Sequence, residues 1–428
     1  MDQKRRLRVA LASLTAESGY DALTVRALIR RANVSTSTFY KHYRGIDDCF
    51  AGLVGMTIRS LGVDIRQSQS TRGDVIGGLR TAVWLLMDRL AQGPEMAQTV
   101  FIESHAAGPQ VLGEMNSAVG ELEVLLAQTF TVAPRPAAAT RHLAAGLVAG
   151  VVGIVRKTAR AGRAGELPGL ADELTDWMLS VANEDVVAFC VPRSRPTNEI
   201  VDDELLGLAA VPTTRESVGN AGNRAMMTAA RLAATSGLAS LTSVRIRKEA
   251  GLSRREFERY FTGVEDCFLD AIESVSRAAA DAARGSAAGA GTWERWMYKA
   301  MNSLCSFAAD DSDLSRLVLL DITAPGRAGL LRREDLIDRA AEFIRAQAYP
   351  ERRLSEVAAT ASISAVWRIA ETEVASGRHA ELPRVAPAFA YMVLAARCPM
   401  DRPPRPRTAE PTEHLGSAVT PPLAISPV

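Results

Sequence analysis

Two short stretches of this 428-residue chain gather side chains that could touch a polyanion. The first is Ser35-Thr36-Ser37-Thr38-Phe39-Tyr40-Lys41-His42, with Arg44 just beyond. Short hydroxyls can approach base edges and phosphate oxygens closely, while Tyr40, Lys41, His42 and Arg44 offer donors to a sugar-phosphate backbone. The second is Ser253-Arg254-Arg255, with Arg259 and Tyr260 on the same short segment. Ahead of them lie Thr24 with Arg26, and Thr242 with Arg245. These residue types suit contact with double-stranded DNA rather than bond breaking.

Charge points the same way for the first stretch. The chain carries a net charge of only +1, so a nucleic-acid surface must be local. Within residues 1–62, ten Lys and Arg oppose five Asp and Glu, a local excess of +5. Other chemistries find less support. No nucleophile–base spacing and no paired carboxylates with a catalytic context stand out, so no enzyme is expected. His105 and His142 lack ligand-spaced partners, and the five cysteines (49, 190, 267, 305, 398) form no CxxC pair. A metal site, a cofactor and a disulfide framework are therefore not expected, and a cytoplasmic location is. Cys49 and Cys267 read as small buried hydrophobes. The glycines of Gly285–Gly291 come without a P-loop lysine and read as a flexible break between helices.

The reading elements must be positioned by helices. Apolar residues are 47% of the chain and aromatics 5%, a mix that fits Ala/Leu/Val helices better than sheets. Leu7, Leu11 and Leu14 fall at i, i+4, i+7, and Gly19 suits the end of that helix. Thr24 is a good N-cap for a second helix with Val25, Leu28, Ile29 and Ala32 on one face. Asn33-Val34 makes a tight turn, and Ser35 caps a third, short helix with Phe39 and Tyr43 inward. Helix, short turn, helix is the geometry that lays a second helix in the major groove.

The chain also repeats itself. Gly19–Phe50 and Gly237–Phe268 align without a gap at a shift of 218, with ten of 32 positions identical. Gly162-Arg163-x-x-Glu166-Leu167-Pro168 recurs as Gly377-Arg378-x-x-Glu381-Leu382-Pro383, at a shift of 215. The expected organisation is a reader at 1–62 and a helical body at 63–190, a linker at 191–219 with one short helix near 202–209, a second reader at 220–280 and body at 281–398, and a proline-rich, disordered tail at 399–428. The N-terminus lacks an apolar stretch of signal-peptide length. Leu143–Val155 is too short to span a bilayer, so it reads as a buried helix and no membrane partner is expected.

The pattern Leu23-Thr24-Val25…Ala32…Val34-Ser35-x-x-Thr38-Phe39-Tyr40-x-His42-Tyr43 resembles the DNA-binding domain of the TetR (tetracycline repressor) family of transcriptional regulators. Leu241-Thr242 through Gly251-Leu252-Ser253-Arg254-Arg255 to Phe257-x-x-Tyr260-Phe261 is similar to it too. The motifs cover roughly 50 residues per copy. The resemblance implies an all-α protein, each copy a three-helix DNA-binding domain with a larger helical domain. In that family the larger domain dimerises through its last two helices and often binds a small effector. The chain departs from the family where a lysine usually precedes the acidic pair of the fourth helix: Ile46 and Val264 stand there. Glu258 replaces the aromatic that is Tyr40 in the first copy, and Glu256 lies beside it. Glu256 fits a capping box with Ser253, whereas no structural reason for Glu258 is visible in the sequence.

For a small apolar effector the candidate pocket residues are Trp84, Met87, Glu103 and His105 in the first copy, and Trp296 and Asp321 in the second. Met115, Trp293, Met297 and Cys305 are further candidates. The helices near 141–161 and 167–189, and those near 354–376 and 382–398, suit an interface of helix pairs. Two assemblies follow: an intramolecular pseudo-dimer, or a homodimer of tandem chains. The expected function is a sequence-specific regulator of transcription, a repressor, released by an effector. The alternative is a helical ligand-binding or scaffold protein with a degenerate reader.

Overall fold

The computed structural model describes residues 3–70, 75–129, 137–182, 220–347 and 354–396. Every regular element among them is helical. The expected linker, its short helix and the proline-rich tail lie outside these residues, as do Cys190 and Cys398.

In the first half, α1 (Gln3–Ser18), α2 (Val25–Ala32) and α3 (Thr36–His42) precede α4 (Ile46–Ser70), α5 (Val75–Gln92), α6 (Pro94–Phe101), α7 (Gly108–Thr129), α8 (Ala137–Arg160) and α9 (Leu167–Ala182). The second half runs in the same order: α10 (Asn220–Ser236), α11 (Ser243–Ala250), α12 (Arg254–Tyr260), α13 (Val264–Ala287), α14 (Trp293–Asp310), α15 (Ser312–Leu319), α16 (Arg327–Gln347), α17 (Glu356–Ala375) and α18 (Leu382–Ala395). The punctuation matches as well. Gly19 and Gly237 follow α1 and α10 at φ 75° and 76°. Gly162 and Gly377 follow α8 and α17 at φ 70° and 71°. There the next amide closes the helix end at the same spacing, Arg163 onto the Thr158 carbonyl and Arg378 onto the Glu373 carbonyl, both at 2.9 Å.

Two sequence expectations shift. The boundaries placed at 62/63 and 280/281 fall inside α4 and α13, so one continuous helix links each reader to its body. The expected break at 285–291 is shorter, because α13 continues through Gly285 to Ala287 and the turn holds only Gly289 and Gly291 at positive φ. Cys49 and Cys267 are fully buried, and burial pushes each thiol up to about 12.

The halves meet where α8 packs along α17. A single apolar cluster runs from α1 through α8 and α9 into α17 and α18, while the second reader has a core of its own. Three glycines on one face of α8 permit the close approach. A Cβ at Gly146 would stand 3.1 Å from Met392 and 3.3 Å from Ile369. One at Gly150 would run into the Trp177 ring and reach 3.1 Å from the Ala361 carbonyl, and one at Gly153 would strike Ser364. The Trp177 indole N–H donates across the seam to Ser362 Oγ at 3.0 Å. The window Thr140–Arg160 is long and apolar enough to cross a membrane, but 72% of it is buried in this packing.

Charged side chains stitch the seam. Lys157 pairs with Asp338 at 3.1 Å and Glu356 at 2.7 Å, Arg160 also holds Asp338, and Arg368 reaches Glu123 at 3.1 Å. A largely buried group lies deeper. Arg156 approaches Glu334 at 3.6 Å and His105 Nε2 at 3.4 Å, and Glu334 accepts from Arg333 at 2.7 Å. Burial lowers the Arg156 guanidinium to about 10, and burial with the neighbouring Arg156 and Arg333 holds His105 well below the usual histidine range.

Glu334→Gln leaves two buried guanidiniums without their carboxylate, so a loss of about 3–5 kcal/mol in denaturant unfolding is expected. His105 gives a pH test. Above its ordinary value of 6.5 the ring is neutral folded and unfolded. Below 6.5 the unfolded chain takes up a proton that the folded chain refuses, so stability falls as pH falls, by up to about 1.4 kcal/mol per pH unit. His105→Gln is expected to make that acid-side slope shallower by this one proton.

Candidate nucleic-acid interface

Each reader is built from locally determined parts. Thr24 stands in extended backbone and its hydroxyl accepts the Ala27 N–H at 3.1 Å. Thr242 repeats this with the Arg245 N–H, also at 3.1 Å. The turn after α2 places Asn33 in the left-handed region at φ 49°; Gly251 takes that role after α11 at φ 65°. Ser35 accepts the Thr38 N–H at 3.1 Å, and Ser253 the Glu256 N–H at 3.2 Å. Phe39 and Phe257, buried beneath α3 and α12, orient the two short helices.

A clamp missed by sequence reasoning fixes the turn. Arg6 Nη1 donates to the Asn33 carbonyl at 3.1 Å, and Arg224 Nε to the Ala250 carbonyl at 3.1 Å. The signal was available, because Arg6 and Arg224 lie 218 apart.

On the first reader, Thr36, Ser37, Tyr40 and Lys41 are exposed along α3, with Tyr40 at 57%. Arg44, 85% exposed in its side chain, stands 3.4 Å from Asp48. Thr24 and Arg26 are exposed at the start of α2. Ser35 and Thr38 are less available, since Ser35 Oγ is shared among the Thr38 amide, Ser37 Oγ at 2.8 Å and Thr38 Oγ1 at 2.9 Å. His42 is half-buried against Gln3 at 3.4 Å.

On the second reader the charges are arranged differently. Glu256 completes the capping box, its carboxylate accepting the Ser253 N–H at 2.8 Å. Glu258, for which the sequence offered no structural reason, holds Arg254 at 2.6 Å, one helical turn away. Arg254 is thus engaged within the helix, while Arg255 and Arg259 stand exposed. Arg245 is half-buried, 3.5 Å from Glu249, and Tyr260 is half-buried as well.

The residues expected at an effector pocket are spread over several places in the structure. Of the six main candidates, Trp296 alone lines either of the two cavities described in the bodies. Trp84 is 48% exposed, because its side of α5 faces out, and Met87 is fully buried in the core. Glu103 instead ties the reader to the body, accepting the Tyr20 N–H at 3.2 Å and standing 3.6 Å from Arg327. His105 belongs to the buried charged group at the seam, and Asp321 pairs with Arg316 at 3.4 Å. Among the further candidates, Met297 and Cys305 line the larger cavity, whereas Met115 and Trp293 line neither.

Residues 7–53 match the family model described as bacterial regulatory proteins, tetR family. The matched span holds α1 to α3 and the start of α4. Similar solved structures include the fatty acid degradation regulator FadR from Bacillus halodurans, at 17% identity and TM-score 0.37. A transcriptional regulator FadR from Bacillus subtilis, in complex with stearoyl-CoA, is similar at 14% identity and TM-score 0.37. Each covers 41% of this chain and 97% of its own.

Glu258→Gln removes one carboxylate from α12 and releases Arg254. Binding of non-specific duplex DNA is expected to tighten, with the slope of log affinity against log salt steeper by about 1. Fluorescence anisotropy across a salt series reads this directly, and an unchanged slope would mean that α12 does not face phosphate.

Proposed function

We propose that this chain is a DNA-binding transcriptional regulator of the tetR kind, in which one polypeptide carries two copies of the regulator unit. The observation that carries the reading is the coincidence of the family match at 7–53 with a capped helix-turn-helix whose α3 exposes Thr36, Ser37, Tyr40 and Lys41. The matching helix order and glycine conformations of the second half support a duplicated unit. The duplicated units occupy about 1–190 and 220–398.

In this reading α8, α9, α17 and α18 take the place that two subunits fill in single-unit relatives. The chain is then an intramolecular pseudo-dimer whose readers address successive major grooves, about 34 Å apart. Covalent linkage raises the effective concentration of each half for the other. Because α3 and α12 differ in sequence and charge, the preferred site is asymmetric. The protein acts as a repressor, released by a small, largely apolar effector bound in a body domain, and it binds rather than catalyses. A scaffold with a degenerate reader draws support from one observation, the Arg254–Glu258 pair, and from that reader alone.

Selection from a randomised duplex pool tests the reading, using wild type, a Tyr40→Ala/Lys41→Ala variant and an Arg254→Ala/Arg255→Ala variant. The expected result is an asymmetric motif, one half of which disappears in each variant. No enrichment at moderate salt would leave the scaffold reading standing. Light scattering on the same samples separates the assemblies: a monomer mass at full affinity supports the pseudo-dimer, and a dimer mass supports a homodimer with four readers.

A further inference from the structure

The two body domains differ in what they enclose. In the first half, a cavity of about 80 Å³ between α4, α5, α7, α8 and α9 is walled by aliphatic side chains with Phe101 and Met178. That is too small for a ligand of ordinary size. In the second half, α13 to α18 surround about 550 Å³, walled by residues such as Met297, Met301, Leu304, Phe343 and Phe389. The difference follows from the sequence at the wall. At the repeat shift, Ala279, Ala283, Ala308 and Ala340 stand where Leu61, Ile65, Leu90 and Leu122 line the smaller cavity, and leave that space open.

The larger cavity is not uniformly apolar. Ser276 on α13 and Trp367 on α17 both stand on its wall, and Ser276 Oγ and Trp367 Nε1 are buried atoms without a hydrogen-bond partner. Buried polar groups left unpaired are costly and uncommon, and a ligand is one way to satisfy them. An indole N–H can only donate, so the group that meets it must accept. The charged wall residues are Arg277, Arg284 and Arg339 with one carboxylate, Glu273. Glu273 is already bound by Arg339 at 2.6 Å and Arg277 at 3.1 Å, and by Arg332 at 3.3 Å from outside the wall. The three wall arginines are about half exposed, as expected of a mouth rather than a floor. Arg284 also pairs with Asp281, and Arg339 with Asp335 at 3.3 Å, so with Arg332 four arginines face three carboxylates and the excess is one positive charge.

We propose that the second body domain holds a single ligand site per chain for an amphiphilic anion, a long apolar body with a carboxylate or similar acceptor group. Ser276 and Trp367 supply polar contacts inside the cavity and the arginines supply the attraction at its mouth. This deepens the effector part of the function proposed above and rests on it for its regulatory meaning. The site also abuts the seam. Arg333 lies over the Trp367 ring at 5.5 Å, and its neighbour Glu334 reaches Arg156 and hence His105 in the first half. Two residues before His105, Glu103 holds the first reader through the Tyr20 amide. A ligand that moves Trp367 therefore pushes on a continuous chain of contacts ending at the opposite half's reader.

The test uses dodecanoate, dodecanol and dodecylamine as probes, titrated calorimetrically into the full chain without DNA. Expected is one dodecanoate per chain, bound at least tenfold tighter than dodecanol, with dodecylamine weakest. Arg284→Gln is expected to narrow the gap between dodecanoate and dodecanol. Trp367→Phe, which keeps the ring and removes the N–H, is expected to weaken dodecanoate about tenfold. Ala300→Trp, checked for folding by circular dichroism, is expected to abolish binding by filling the cavity. Two sites per chain, equal affinity for the three probes, or full binding by Ala300→Trp would each overturn the proposal. Since these titrations contain no DNA, their failure is separate from failure of the DNA-selection experiment. Dodecanoate is then added to the reader-bound duplex; release by wild type and not by Ala300→Trp supports the regulatory reading, and release from both would overturn it.

Discussion

Everything in this molecule is arranged around the distance at which α8 and α17 can pass each other. That distance is set by hydrogen atoms where side chains would normally be: Gly146, Gly150 and Gly153 on one helix, faced by Ala361, Ser364 and Ala365 on the other. Once the backbones are that close, Trp177 can lie flat enough to bond Ser362, and the helices behind, α9 and α18, are drawn into one apolar cluster. Close-packed interiors transmit displacement rather than absorb it. A seam of this kind fixes one half relative to the other far better than a flexible tether could.

Above that apolar floor sits a charged layer, and its depth matters more than its number of pairs. Exposed ion pairs contribute little, whereas Arg333, Glu334 and His105 are buried, with Arg156 nearly so, and cannot be relieved singly. The group lies between the larger cavity and the stem of the first reader. It is at once a source of specificity for the way the halves dock and a place where small displacements are felt. The caps and turns of the readers are local, whereas the core of the first reader is continuous with the seam and that of the second is separate.

How much of this was legible in the sequence depends on range. The caps at Thr24, Ser35 and Ser253 act within three or four residues and are directly legible in the sequence, and Thr242 and Gly251 repeat the roles of Thr24 and Asn33 in the second copy. The Arg254–Glu258 pair lies at the same short range, yet the family pattern, with an aromatic at that position, gives no cue to it. A pocket is the least legible feature, because a cavity is defined by which faces of distant helices meet. Aromatic and charged residues such as Trp84, Glu103 and His105 drew attention, while the space is made by alanines, which carry no signal of their own. Glu103 and Asp321 occupy matching positions at the repeat shift, but the residues around them sent one to the reader and the other to Arg316.

The ion pairs of the seam have no mirror images. Lys157 faces Asp338, but the residues that correspond to them at the repeat shifts are Thr372 and Gly120. Arg368 faces Glu123, and their counterparts are Gly153 and Ala341. In an interface between identical subunits every substitution strikes twice, once on each side of the two-fold axis, and each surface must remain complementary to itself. Here a substitution strikes once. Each face need only complement the other, and the asymmetric ion pairs meet that lesser requirement.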